Sequence, residues 1–203
     1  MLEFRQAQNK DELRQLQELR YRVYCLEKEF LPTSDYPDGI EADEFDQHSV
    51  HFIATNGEGG SGEILGTMRL ILPSELGFPV ETHFELSKPI QDPQRTVEFS
   101  RLMVAPEARK LSVQILMGLS REAYRYFLVN GIEHCYAVLE DSLLKLLTRV
   151  GLPFREVGHE KWFMGGYTRP VYLSASEAVE VLQTNNALFY TYLCESSDLP
   201  TSV

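Results

Sequence analysis

The segment Thr96-Val-Glu-Phe-Ser-Arg-Leu-Met-Val104 predicts a buried strand that carries two charges, Glu98 and Arg101. A helical pattern follows over Ser112–Val129, and a short apolar run, His134–Leu139, comes next. Short apolar runs are typical of buried strands. A helix between two neighbouring strands returns the chain across the sheet, so the two strands are parallel. The sequence therefore predicts one parallel strand pair.

The segments on either side of this pair predict further strands and helices. Asn9 is expected to cap a helix that runs to about Lys28, with Glu12 in the capping-box position. Strands are expected at Leu2–Ala7, Val50–Thr55, Glu63–Leu72, Phe154–Val157, Lys161–Gly165 and Arg169–Leu173, helices at Ser142–Val150 and after Ser174, and irregular chain at Pro73–Asp92. This order predicts a mixed sheet with helices on both faces. We expect a single domain over 1–194 and a flexible tail over 195–203.

The composition restricts the class of protein. The chain has 203 residues and a net charge of −11, which argues against a nucleic-acid partner because phosphate binding needs a basic face. No apolar run approaches the length of a membrane span and no apolar signal segment is visible, so a cytoplasmic protein is expected. Three widely spaced cysteines favour reduced thiols over disulfides. His48 and His51 lack a third ligand, so no metal site is expected.

Charged residues inside otherwise apolar or aromatic segments indicate a functional site. They are Arg20, Asp43, Asp46, Arg69, Glu98 and Arg101. A buried charge is costly unless it is paired, and networks of paired charges are where pKa values are tuned for chemistry. We therefore interpret the six as one site. Two simpler interpretations stay open: an edge ion pair between Glu98 and Arg101, and a turn capped by Asp43 and Asp46.

Glu98 is the candidate base of this site. Its apolar strand would raise the pKa of the carboxyl group by desolvation, whereas a nearby Arg69 or Arg101 would lower it. A carboxylate balanced in this way takes a proton from an amine, directly or through one water. Tyr24 and Phe30 would cover a substrate beside an arginine, although such aromatic residues more often belong to the core.

The spacing of these residues resembles a known family. Arg20-x3-Tyr24, Phe30, Asp43-x2-Asp46, Arg69 and Glu98-x2-Arg101 match the pattern of the autoinducer synthases that make acyl-homoserine lactones and have the GNAT N-acetyltransferase fold. A sister group is more similar still, namely the N-acyl amino acid synthases and the acyltransferases associated with the exosortase (PEP-CTERM) system. The similar strings lie at Arg20–Glu27, Pro37–Asp46, Gly66–Pro73, Glu98–Arg101 and His134–Glu140.

The resemblance implies a fold class and an activity. The fold is α/β (an α+β sandwich), GNAT-like, with a mixed, mostly antiparallel sheet, a parallel splayed strand pair and helices on both faces. The activity is N-acyl transfer, in which a fatty acyl group moves from an acyl-carrier-protein or CoA thioester to the amino group of an amino acid or related amine. The thioester is a co-substrate, and no tightly bound cofactor or metal is implied.

The resemblance also implies roles for individual residues. Glu98 is the implied catalytic base, and Arg101 acts beside it. The implied acceptor-binding residues are Arg20, Tyr24, Phe30, Asp43, Asp46, Arg69 and Ser100. The implied donor-binding residues are Leu102, Met103, Val104 and Arg109.

Departures from the family pattern bear on the choice of substrates. The autoinducer synthases have tryptophan where this chain has Phe30 and phenylalanine where it has Tyr24, which argues against S-adenosylmethionine as acceptor. The segment Glu107–Val113 lacks the glycines of a pyrophosphate-binding loop, which favours an acyl carrier protein over CoA. Such carriers are acidic and would suit a docking face made of Arg109, Lys110, Arg121 and Arg125. Three alternatives stay open: an autoinducer synthase, a CoA-dependent acetyltransferase, and a non-catalytic acyl-binding module.

Overall fold

The computed structural model describes residues 2–57 and 62–195. Most of the predicted tail, and residues 58–61 of the predicted hairpin connection, lie outside the described residues. The helices and strands are β1 (Glu3–Gln6), α1 (Lys10–Tyr21), β2 (Ser49–Thr55), β3 (Ile64–Ile71), α2 (Pro79–His83), β4 (Thr96–Val104), α3 (Ser112–Asn130), β5 (His134–Glu140), α4 (Asp141–Arg149), β6 (Arg155–Glu156), β7 (Lys161–Phe163), β8 (Gly166–Ser174), α5 (Ala175–Asn185) and α6 (Ala187–Cys194).

The described strands form one mixed sheet in the order β1-β2-β3-β4-β5-β8-β6, with β7 paired to β8. Neighbouring strands are antiparallel except β4 and β5, which are parallel. This confirms the predicted fold class and the predicted parallel pair. The reason is the crossover through α3, which ends at Gly131 in the left-handed conformation (φ 63°).

The parallel strands β4 and β5 separate partway along their length. Their ladder joins Thr96–Phe99 to His134–Ala137. Beyond these residues β4 continues along β3 to Val104, while β5 continues along β8 to Glu140. A gap therefore opens between the second half of β4 and the end of β5, as the splayed pair requires.

Helices cover both faces of the sheet. On one face α3 lies close to the strands, since a Cβ atom on Gly66 would be 2.5 Å from Ile115 and one on Gly118 would be 2.3 Å from Phe4. Glycine at these two positions allows that approach. On the other face, Gln17 of α1 donates a hydrogen bond of 3.0 Å to Asp46, which in turn binds Arg69 of β3. Gly66 and Arg69 are an odd number of residues apart on one strand and point to opposite faces.

The structure corrects three predicted elements. The first helix does not run as an α-helix to Lys28; it changes at Arg22–Glu27 to a π-helix, in which the Lys28 N–H donates to the carbonyl of Val23 (2.9 Å). The region predicted as irregular contains the one-turn helix α2, which begins at Pro79. The predicted final helix is followed by a second one, α6, capped by Asn186. Within the described residues, no helix has the length and apolarity to cross a bilayer.

Candidate active site

A β-bulge in β4 brings the charged residues of this strand to one face of the sheet. Thr67 pairs with Met103 and Arg69 with Ser100, so two residues of β4, Arg101 and Leu102, lie opposite the single residue between Thr67 and Arg69. Arg101 has φ 53°, in the left-handed region that a non-glycine residue rarely adopts. In a regular strand Ser100 and Arg101 would point to opposite faces. With the bulge, both side chains lie beside Arg69.

Arg20 forms the deepest part of the charged cluster. Its side chain is completely buried on α1, and its guanidinium donates to Glu41 and to Asp46 (2.8 Å to Asp46 Oδ1). Glu41 is also completely buried. Since a buried charge is stable only when it is paired, these three residues hold the loop that precedes β2 against α1.

Arg69 links Asp43 and Asp46 to β4. Its Nη1 lies 2.5 Å from Asp43 Oδ1 and 2.5 Å from Asp46 Oδ1, and its Nε donates to Ser100 Oγ at 2.9 Å. Asp43 also caps the 3₁₀ turn Glu44–His48, where it accepts from the Phe45 N–H. The turn-capping interpretation and the arginine-binding interpretation of Asp43 are therefore both correct.

Arg101 completes the cluster from the bulge. Its Nη2 donates to Glu41 Oε1 at 2.8 Å and to Asp43 Oδ2 at 2.9 Å. The guanidinium also lies over the Tyr24 ring, 5.5 Å from the centroid, which is a cation–π geometry. Arg101 thus binds Glu41 and Asp43, and the ion pair between Glu98 and Arg101 that the sequence left open does not form.

The arginines hold the carboxylates of the cluster in the charged form. Burial by itself raises the pKa of Asp46, but the charges and hydrogen bonds of Arg20 and Arg69 outweigh burial and keep that pKa well below its usual range. Glu41 and Asp43 follow the same pattern, with lowered pKa values. Three arginines face three carboxylates, so the cluster is neutral as a whole.

Glu98 behaves differently from the clustered carboxylates. Its side chain is buried between Ile71 of β3 and Tyr136 of β5, its cross-strand neighbours. Burial raises the pKa of Glu98 to about 8, and this effect is only partly offset by the Val80 N–H, which donates to Glu98 Oε2 at 2.8 Å. The donor belongs to α2, a helix that the sequence did not reveal. Glu98 is thus a carboxyl group whose pKa lies near neutrality, as proton transfer requires.

A cavity of about 390 Å³ occupies the gap between β4 and β5. Its apolar walls come from Phe99, Leu102, Met103, Val138, Leu139 and Leu143. Its polar and aromatic walls include Tyr24, Phe30, Asp43, Arg69, His83, Glu98, Ser100, Arg101 and Phe163. The cavity therefore joins a region suited to a hydrocarbon chain to a region suited to a polar molecule, and Glu98 lies in the polar region.

A tight hairpin forms one side of the cavity. Met164 and Gly165 connect β7 to β8 in a two-residue turn, and both have positive φ (49° and 77°). Gly165 is required for a second reason, since a Cβ atom there would lie 2.2 Å from the Phe30 ring. Phe30 in turn stacks on Tyr24 at 6.2 Å between centroids. The hairpin and the segment after α1 thus meet through Phe30.

Not every residue of the predicted site reaches the cavity. Arg20 and Asp46 lie behind it and contact Glu41, Arg69 and the protein interior. Val104 points to the opposite face, where Gly66, its cross-strand partner, packs against α3. The predicted residues that line the cavity are Tyr24, Phe30, Asp43, Arg69, Glu98, Ser100, Arg101, Leu102, Met103 and Arg109.

Glu41 and α2 were missed by sequence reasoning. Glu41 is one acid among several in a loop that contains Pro32 and Pro37, and the sequence alone does not show which of these acids is buried. Its place two residues before Asp43 in an acidic motif was the available clue. Val80 contributes a backbone N–H, which a side-chain motif does not reveal.

The arginines of the predicted docking face have different neighbours. Arg121 lies over the Tyr192 ring at 4.8 Å, and Arg125 donates to the Glu195 carbonyl at 3.0 Å, so both pack against the C-terminal helix α6. Arg109 pairs with Glu27 near the cavity at 2.7 Å. Arg121 is twelve residues further along the chain, about 18 Å at helical rise. Arg109 and Lys110 are separated from the other two arginines.

The fold and the cavity define a class of protein, an acyltransferase of GNAT-like architecture, and comparisons with known proteins support it. Residues 15–177 match the family described as the N-acyl amino acid synthase FeeM. The match covers most of the chain, which therefore belongs to this family.

Individual relatives agree with the family assignment. An acyl-homoserine-lactone synthase of Vibrio anguillarum is 27% identical over 168 residues, which are 78% of this chain and 82% of the relative. The solved structure of BjaI, a CoA-dependent acyl-homoserine lactone synthase, is similar with a TM-score of 0.69 at 21% identity, over 94% of this chain and 87% of BjaI. FeeM from uncultured soil microbes is similar with a TM-score of 0.65 at 12% identity, over 89% of this chain and 94% of FeeM. The last two likenesses concern the fold.

Proposed function

We propose that the protein transfers a fatty acyl group from an acyl-carrier-protein thioester to the α-amino group of an amino acid or a close relative. The observation that carries this proposal is the position of Glu98, a buried carboxyl group with a pKa of about 8, in the cavity where β4 and β5 separate. The family assignment supports the reaction class. The association with the exosortase system stays a prediction.

The proposed reaction is a direct attack of the amine on the thioester. The acceptor enters as an ammonium ion, and the Glu98 carboxylate takes one proton to leave a neutral amine. The amine nitrogen attacks the thioester carbonyl, and a backbone N–H of the bulge at Arg101 and Leu102 donates to the oxyanion. The carbon–sulfur bond then breaks, the thiolate leaves, and the second proton of the nitrogen passes to the thiolate. The products are an amide and a free thiol.

The two regions of the cavity suit the two substrates. The acyl chain and pantetheine arm would follow the apolar wall at Leu102, Met103 and Leu139, and the acceptor would occupy the region around Tyr24 and Glu98. The charged cluster holds the bulge and the loop in place behind the acceptor. Arg69 and Ser100, joined at 2.9 Å, connect the cluster to the cavity wall.

A carrier protein is the preferred donor because of the segment after β4. A pyrophosphate is usually bound by glycine-rich backbone at a helix N-terminus. Here Pro106–Leu111 forms a 3₁₀ helix without glycine and with proline at its start. Few N–H groups are therefore available for the pyrophosphate of CoA, whereas a carrier-bound pantetheine has a single phosphate.

The Vibrio anguillarum relative favours one second candidate, an acyl-homoserine-lactone synthase; the BjaI structure of such a synthase contains S-adenosylmethionine. Phe30 and Tyr24 depart from the residues found in that group, so we prefer the amino acid acceptor. Incubation of the purified protein with acyl carrier thioester, a mixture of the proteinogenic amino acids and S-adenosylmethionine separates the two. We expect N-acyl amino acids by mass spectrometry. Methylthioadenosine together with an acyl lactone would contradict the proposal, and so would product in a parallel reaction in which acyl-CoA replaces the carrier thioester.

A further inference from the structure

The three arginines of the charged cluster have no excess positive charge that could bind a substrate anion. Arg20, Arg69 and Arg101 are matched by three carboxylates, and each guanidinium contacts two of these carboxylates. An anion that approached Arg69 or Arg101 would also meet Asp43, which lines the same wall. The cluster is therefore a poor binding site for the carboxylate of an amino acid.

The remaining cations of the cavity wall are Lys28 and Arg109. Arg109 is paired, with its Nη2 2.7 Å from Glu27 Oε2. For Lys28, no ion pair is found within residues 2–57 and 62–195. Lys28 is thus the cavity-lining cation whose charge stays uncompensated in the part of the chain that the structure describes.

In sequence, Lys28 lies between two aromatic residues of the acceptor region. It follows the π-helix directly, and its N–H is anchored to the Val23 carbonyl at 2.9 Å. Tyr24 and Phe30, on either side of it in sequence, stack on each other and line the polar region. The apolar wall for the acyl chain comes instead from β4, β5 and α4. A lysine stem is long and flexible, so the ammonium of the exposed Lys28 can reach the region where the acceptor would bind.

We infer that Lys28 binds the carboxylate of the amino acid acceptor, while the acceptor ammonium faces Glu98. The inference rests on the proposed function and deepens it, because it assigns the acceptor-specificity residue. An α-amino acid has both charges in one small molecule, so the site would hold it between one cation and one carboxyl group. Amines without a carboxylate lose the contact with Lys28 and bind less tightly.

A competition experiment tests this assignment. The full-length protein receives acyl carrier thioester with equal concentrations of the proteinogenic amino acids and of their methyl esters, and the ratio of N-acyl acids to N-acyl esters is measured by mass spectrometry. Lys28→Met is expected to lower this ratio about fivefold or more, and Lys28→Arg to retain most of it. Differences in amine reactivity between acids and esters cancel, since the same substrates are compared across variants.

Lys10→Met is the matched control, because Lys10 is an exposed lysine at the start of α1 that does not line the cavity. It is expected to keep the ratio of the unaltered protein. An unchanged ratio in Lys28→Met overturns the inference. So does an equal loss of both products, because Lys28 would then serve the donor phosphate or the fold. If the unaltered protein acylates no amine, the proposed function fails instead, so the two failures are distinguishable.

Discussion

Replacement of Glu98 by glutamine tests the environment of this carboxyl group through stability as well as activity. In the folded protein burial raises the pKa of Glu98 from 4.5 to about 8. The folded state therefore keeps its proton between these two pH values, whereas the unfolded chain loses it. The contribution of Glu98 to stability is therefore complete below about pH 4.5 and is lost as the pH rises to about 8. Glutamine has nearly the shape of the protonated carboxyl group but does not ionise.

The size of the effect follows from the shift. One pKa unit corresponds to about 1.4 kcal/mol. The rise of the Glu98 pKa from 4.5 to about 8 therefore sets an upper bound of about 5 kcal/mol on the stability that ionisation of Glu98 removes between pH 4.5 and 8. Glu98→Gln should not show this loss. Near pH 4.5 the two proteins should unfold with similar free energies, because the Val80 N–H has an acceptor in both. Above about pH 8 the variant should be more stable by several kcal/mol, while its turnover falls strongly.

The assay is equilibrium unfolding in urea at several pH values between about 4.5 and 8.5, together with single-turnover acyl transfer. Glu44→Gln serves as a control, since Glu44 is an exposed carboxylate on the wall of the same cavity. The clustered carboxylates titrate identically in all variants and cancel in the difference. If the free energies of unfolding of Glu98→Gln and of the unaltered protein change with pH in the same way, the pKa of Glu98 is not raised by burial. Unchanged turnover would remove Glu98 from the role of base.

Three further predictions follow from the same geometry. First, kcat/KM should rise with pH with a slope of one on a logarithmic plot until about pH 8, the pKa of Glu98, and a profile without this limb contradicts the proposed base. Second, Glu41→Gln should destabilise the protein by about 3–5 kcal/mol in urea unfolding, since it removes one of the two carboxylates that bind Arg20 and Arg101 and leaves one positive charge of the buried cluster uncompensated, whereas Glu27→Gln on the exposed pair with Arg109 should cost less than about 1 kcal/mol. Third, Val138→Phe on the apolar cavity wall should shift the products from a mixture of donors toward shorter acyl chains, as measured by mass spectrometry, and an unchanged distribution would place the chain elsewhere.

The backbone of the site was largely predictable where hydrophobic patterns are long. The bounds of β4 agree with the sequence prediction, Thr96–Val104, because Gln94-Arg95 precede the run and Ala105-Pro106 follow it. The parallel arrangement with β5 follows from the intervening helix. Ser174 was expected to cap α5, and its Oγ accepts from the Glu177 N–H. These are local signals that tertiary contacts reinforce.

Other features depend on long-range contacts that leave no local pattern. Arg101 adopts positive φ although it is neither glycine nor asparagine, because Glu41, 60 residues away in sequence, binds its guanidinium. The π-helix after Tyr21 has an ordinary helical sequence. α2 has only one turn, too short for a hydrophobic period to show. The sequence therefore predicts that these charged residues pair with one another, but it does not show which arginine binds which carboxylate.

The most direct test of the proposed mechanism measures thioester consumption and amide formation in a single reaction. Purified protein is mixed with acyl carrier thioester and amino acids, and released thiol, N-acyl amino acid and the mass of the protein are recorded at each time point. With direct attack of the amine, thiol and amide appear at equal rates and the protein never gains the mass of an acyl group. Release of thiol without amide, or an acylated protein that forms before the product, would contradict direct attack in the cavity beside Glu98.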